Sequence, residues 1–169
     1  MTTVRTIVKQ VCTALWSELK SEYLREPTKE VWEDIARIFQ QRANFPNCIG
    51  AVDGKHIRII QPPRSGSLYF NYKKYFSIVL LAIADADYKF IYIDVGAYGK
   101  CSDSTIFKDS TLYQKLINKT LQIPEKQPIT SIDSTLMPYV FVGDEAFPLT
   151  ENIMRPYPGT NLSSEKKNV

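Results

Sequence analysis

The chain is poor in the residues that staple a fold or ligate soft metals. It has one histidine, His56, and three cysteines, Cys12, Cys48 and Cys101, spread over 169 residues. An odd number of widely spaced cysteines argues against a disulfide framework. One histidine beside three scattered thiols argues against a zinc finger. No apolar stretch approaches the roughly 20 residues that span a bilayer, and residues 1–20 carry no apolar signal-peptide core. A membrane is therefore not an expected partner, and a cytosolic or nuclear location is the default. No Gly-x-Ser-x-Gly elbow exists for His56 to serve, and no Gly-rich nucleotide loop is present. Repeats and low-complexity blocks are missing too. The sequons at Asn118 and Asn161, without a secretory signal, are read as chance.

What remains is ordinary globular material, 44% hydrophobic and 23% charged, enough for one well-cored domain. The net charge of +3 is mild, so its distribution matters more than its total. Residues 4–19 place Val4, Val8, Val11, Leu15 and Leu19 at helical spacing. Pro27-Thr28 opens a second helix whose stripe is Val31, Trp32, Ile35, Ile38 and Phe39. Both stripes read as packing faces, and the first helix alternatively as a remnant of a DNA-binding helical module. The expected division is an N-terminal helical region over 1–43 and a second domain over 44–169.

From Cys48 the pattern turns to strands. Residues 48–61 alternate loosely, 76–84 form an almost unbroken apolar run, and 90–95 are a return strand after an Asp85–Tyr88 turn. Asp103 or Ser104 is expected to cap one helix reaching about Ile117. A proline-bearing surface insertion follows over 119–134, then a short strand over 139–142. Three antiparallel strands, a crossover helix and a parallel fourth strand make a mixed α/β sheet.

Two acids stand out. In "NCIGAVDGKHIRI", Asp53 occupies a strand position where Val or Ile would be the easy choice. Asp-Gly between apolar runs is a strong hairpin signal, but the strand can equally continue beyond a kink at Gly54. Asp144 follows the fourth strand in "YVFVGDEAFPL" and would cap a turn there. If strands one and four are neighbours, the two carboxylates face each other, and repulsion between them calls for a proton or a cation. Oxygen donors of this kind suit Mg²⁺ or Mn²⁺. Between residues 54 and 75 lie Lys55, Arg58, Arg64, Lys73 and Lys74 with no acid, interleaved with tyrosines. With His56, these are candidate nucleic-acid-binding residues, cations tracking phosphate and rings offering stacking faces.

"FPNCIGAVDGKHIRI", "NYKKYFSIVLLAIADADYKFIYIDVGAYGKCSDSTIF" and "FVGDEAFPL", in this order over residues 44–160, resemble the catalytic region of Harbinger-type transposases and the nuclease derived from them. The resemblance implies an RNase H-like fold and a DDE site using two divalent ions to cleave DNA phosphodiester bonds. Asp53 and Asp144 match its first two acids, although Glu145-Ala146-Phe147 depart mildly from the family's second motif. Asp103-Ser104 matches an Asp-Ser pair of the family, which helix capping also explains. The family's third acid, a Glu on a later helix, has no match: Glu165 falls too early and Glu151 lacks motif support. The chain thus reads as C-terminally truncated, binding metal weakly and nicking little. The resemblance further implies DNA and a Myb-like DNA-binding protein as partners and a nuclear location, while a sheet left partly uncovered by the missing C-terminal helices favours a homo-oligomer. A copy that only binds DNA or protein, without catalysis, is the competing reading.

Overall fold

The computed structural model describes residues 2–130 and 132–157, so Glu165 and Asn161 lie outside the described residues. Two helices lead, α1 (Thr2–Tyr23) and α2 (Lys29–Ala43). Thr28 sits at the start of α2 in extended conformation, but its hydroxyl donates to Glu30 Oε2 at 2.7 Å instead of accepting from the helix. Asn44 ends α2 in the left-handed region, φ 50°, its N–H reaching the Gln40 carbonyl.

The sheet follows: β1 (Cys48–Arg58), β2 (Ser77–Ala84) and β3 (Phe90–Tyr98). Short elements complete it: α3 (Asp103–Asp109), α4 (Thr111–Ile117), β4 (Gln127–Pro128), β5 (Leu136–Met137), β6 (Val140–Val142) and β7 (Ile153–Met154). The strand order is β3-β2-β1-β6-β7. β1–β2 and β2–β3 are antiparallel, while β6 joins β1, and β7 joins β6, in parallel. This is a mixed α/β sheet consistent with an RNase H-like fold. The expected neighbours are adjacent, and β7 is a strand that the pattern of apolar residues did not announce. β4, inside the expected surface insertion, pairs with β5, just after it, in a separate small ladder.

The core lies on one face. Val79, Leu81 and Ile83 alternate inward along β2 and pack with Val52 from β1, Phe141 from β6, Phe107 from α3 and Trp32 from α2. Trp32 is fully buried and meets Phe141 edge-on, ring centroids 5.7 Å apart. A buried aromatic of this size supplies several kcal/mol, about 3–5 when cut to alanine. On the opposite face, Ala51, Asp53, Lys55 and Ile57 pair with Ala84, Ala82, Leu80 and Ile78. Directly paired residues share a face, and this one is half open among the described residues.

Two expectations are corrected. The stripe of α1 is not a packing face: Val4 is 69% exposed and Val8 55%, and Val11 and Leu15 are also more than half exposed. Only its C-terminal half approaches the body, where Trp16 and Lys20 line a cavity of about 340 Å³ with Trp32, Tyr92 and Leu112. The helix after β3 is two short helices. The Ser110 hydroxyl donates to the Phe107 carbonyl at 2.6 Å, closing α3, and accepts from Tyr113 N, opening α4. The cap of α3 is Ser102, whose Oγ accepts from Thr105 N, and Asp103 is the first helical residue.

Candidate carboxylate site

β1 runs through Asp53-Gly54 without turning, so the hairpin alternative is excluded. Successive strand residues point to opposite faces: Val52 is buried, and Asp53 is exposed on the open side. Its Oδ1 accepts from the Gly54 N–H at 2.8 Å, turning the carboxylate back along its own backbone. In the parallel ladder Ala51 is level with Val142. Two residues further along each chain come Asp53 and Asp144. Asp144 also fulfils its expected turn role, its Oδ1 accepting from Ala146 N at 2.9 Å and its carbonyl from Phe147 N.

A third carboxylate lies one residue along β1, on the core-side face that Gly54 shares with Val52 and His56 and opposite to the face of Asp53. Gly54 has no side chain, and the space where its Cβ would be is filled by the Asp103 carboxyl group. The crossover delivers this group: Ser102 caps α3, and the first turn of α3 then sets Asp103 against the middle of β1. Burial pushes the Asp103 carboxyl above the ordinary aspartate range. The charge of Asp53 adds to this, and that of Asp144 does so more weakly, while His56 and Lys73 partly offset it. One half-buried acid thus feels both of the acids singled out from the sequence. The clue to it was the Asp-Ser pair, which helix capping seemed sufficient to explain.

The basic candidates divide. His56 and Arg58 lie on β1, and His56 is level with Val79 on the core side. The His56 Nδ1 lies 2.9 Å from Ser77 Oγ, which accepts from Asn71 Nδ2 at 2.8 Å. Asn71 uses only one of the two lone pairs on the Ser77 hydroxyl, so Ser77 can donate to Nδ1 or accept from it. The Arg58 guanidinium lies over Tyr75, 4.3 Å from the ring centre, and Lys73 lies over Tyr72. Lys55, opposite Leu80, is on the open face with Asp53. Arg64 and Lys74 are exposed turn residues with positive φ. The structure therefore gathers His56, Arg58 and Lys73 with the tyrosines and sets Lys55 on the other side of β1. Glu151 pairs with Lys126 at 2.8 Å.

Among the described residues, no three carboxylate, imidazole or thiol groups are close enough to hold a metal ion as they stand. In kind, however, the donor set fits a hard divalent cation, since all three groups offer oxygen. Burial is the main cause of the upward push on Asp103; the smaller share that comes from Asp53 and Asp144 is repulsion that a cation placed among them would relieve.

The family model described as DDE superfamily endonuclease matches residues 52–169. "Protein ALP1-like" of Arabidopsis thaliana is 32% identical over 134 residues, covering 78% of this chain and 32% of that protein. "Antagonist of like heterochromatin protein 1" of the same plant is 26% identical over 141 residues, covering 83% of this chain and 35% of its own length. The chain thus spans about a third of the curated relatives it matches. No solved structure matches it.

Proposed function

The chain belongs to the DDE superfamily endonuclease family, in line with the Harbinger-type motifs it carries, and from that premise we propose that Asp53, Asp103 and Asp144 form the acidic centre of a metal-dependent DNA nuclease. The observation that carries the proposal is the Asp103 carboxyl group lying on Gly54, within electrostatic reach of both other acids. Asp53 comes from the central strand, Asp144 from the end of its parallel neighbour, and Asp103 from the crossover. These three would hold Mg²⁺ or Mn²⁺. A divalent cation bound there supplies the charge that activates an attacking oxygen and stabilises the leaving oxygen of an in-line displacement, in the two-ion manner the family resemblance implies.

The protein's own groups orient the substrate. His56 lies beside Arg58 on the same face of β1, and Lys73 and Arg58 offer positive charge for backbone phosphates. DNA is the proposed partner, with a Myb-like protein and a second copy of the chain as further ones, and the nucleus the proposed location. No helix among the described residues is long and apolar enough to cross a membrane.

Mn²⁺ titration of residues 1–169, followed by calorimetry and by thermal shift, tests the centre. Binding should be measurable and weak, and Asp53→Asn, Asp103→Asn and Asp144→Asn should each reduce it. A plasmid-nicking assay with and without Mn²⁺ then tests the chemistry. Cleavage or Mn²⁺ binding that survives Asp53→Asn unchanged would sink the proposal.

A second reading is a binding module without catalysis. What favours it is the name of one relative, an antagonist of a heterochromatin protein, which suggests partners in chromatin. DNA binding that stays intact while nicking is missing, even in a longer natural form, would support it.

A further inference from the structure

The turn over residues 70–76 is built more firmly than a surface loop requires. Asn71 is only 2% exposed. Its N–H donates to the Tyr75 carbonyl at 2.9 Å, its carbonyl accepts from Lys74 N, and its Oδ1 accepts from Tyr75 N at 3.2 Å. Through Nδ2 it holds the fully buried Ser77 hydroxyl, and through that His56. A Phe70–Phe76 bridge closes the base of the turn, rings 5.2 Å apart. The backbone on both sides of Tyr72 is thereby locked, yet Tyr72 itself is 75% exposed.

The surroundings of this ring are specific. His56 meets Tyr72 edge-on at 5.5 Å and Tyr75 at 6.5 Å. The Lys73 ammonium is 5.4 Å from the Tyr72 centroid, and the Arg58 guanidinium covers Tyr75. The Tyr72 hydroxyl and then its charge hold Lys73 above its ordinary pKa, with a smaller push from Asp103, which ties this rim to the carboxylates. A fixed aromatic surface edged with cations suits a ligand that has a flat π-face and a negative backbone. A base inside a duplex has both faces covered by its neighbours and cannot use such a surface; an unpaired base can.

We propose that Tyr72 is a stacking platform for an unpaired DNA base beside the carboxylate site, with Lys73 and Arg58 neutralising the flanking phosphates. The inference rests on the reading of the chain as a DNA-acting protein and adds the substrate class: single-stranded, gapped or bulged DNA in preference to continuous duplex. The hydrogen-bonded turn makes the platform pre-organised, so little ordering cost accompanies stacking.

The test is metal-free binding of residues 1–169 to oligonucleotides carrying 2-aminopurine, as a single strand, as a continuous duplex and as a duplex with one unpaired 2-aminopurine. The single strand and the bulged duplex should bind more tightly than the continuous duplex and show quenched fluorescence. Tyr72→Ala should weaken the first two roughly 5- to 150-fold, the range of one lost base stack, and leave the continuous duplex unchanged. Tyr72→Phe, which keeps the ring, should bind like the wild type. Equal binding of all three DNAs by Tyr72→Ala and wild type, with no quenching, overturns the platform and leaves the nuclease reading standing. No binding of any DNA by the wild type overturns both.

Discussion

Adding one methyl group at Gly54 should displace Asp103 without removing any carboxylate. In Gly54→Ala the new Cβ would collide with Asp103 Oδ1, Cγ and Oδ2 together, so rotating one oxygen aside does not clear the overlap. Overpacking of this kind costs about 1–3 kcal/mol. Against it, alanine in a strand is favoured over glycine by roughly 0.5–1 kcal/mol, because less backbone entropy is lost on folding. The net loss should be about 0–2.5 kcal/mol, and each kcal/mol corresponds to a Tm drop of about 2–4 °C for a domain of this size. A single melt cannot assign that loss, but a double-mutant cycle can. In an Asp103→Ala background the obstacle is gone, and Gly54→Ala should become neutral or stabilising by up to about 1 kcal/mol. The coupling energy between the two sites should then be about 1–3 kcal/mol, well above the few tenths seen for independent positions. Urea unfolding of the four proteins measures it. If Gly54→Ala costs the same in both backgrounds, Asp103 does not occupy the space at Gly54 and the three-acid centre loses its basis.

The remaining predictions concern charge and access. Because the Asp103 carboxyl is raised by burial and by its acidic neighbours, the folded state keeps its proton where the unfolded chain has lost it. Stability from this group therefore falls as pH rises from about 3.9, the ordinary aspartate value, through the raised pKa. Asp103→Asn should melt above the wild type at pH 7.5 and lose that advantage by pH 4; a larger advantage at acid pH would contradict the assignment. The buried Cys48 thiol is pushed up to about 11 by desolvation, whereas Cys12 is exposed. An alkylating reagent at pH 7.5 should label Cys12 rapidly and Cys48 only on unfolding, as peptide mapping would show. Lys73→Ala with Lys74→Ala should weaken binding to all DNA sequences and lower the salt slope by about one unit per lost phosphate contact. An unchanged slope in a filter-binding titration would remove these lysines from the interface.

Local pattern made the sheet readable, because burial dictates residue type there. The run from Phe76 to Ala84 and the return from Phe90 carry strand signals strong enough to stand alone. Gly54 shows the opposite case. Asp-Gly is a turn signal by local chemistry, but β1 continues because it pairs with β2 through Arg58, and Gly54 is glycine because Asp103, far along the chain, fills its Cβ space. For the same reason Asp103 was hidden behind a capping role that Ser102, one residue earlier, performs. On α1 the period of 3.6 announced a helix correctly. Periodicity says that a face is apolar but not what lies against it, so the exposure of Val4 and Val8 could not be read.

The parallel pairing of β6 with β1 also orders events in time. β2 and β3 are joined by a short turn, and β1 reaches β2 across the 59–76 connection, whereas β6 must return from beyond the crossover and the 119–134 segment to reach β1. Such long-range closures are late in chains dominated by local contacts, since the loop entropy must be overcome before the contact forms. Asp53 is in place once the meander has formed, and Asp103 once α3 docks on it. Asp144 arrives only with β6. The acidic cluster is therefore assembled at the end of folding, and its mutual repulsion is imposed on a structure already able to bear it. A nascent or partly folded chain would hold two of its acids and not the third.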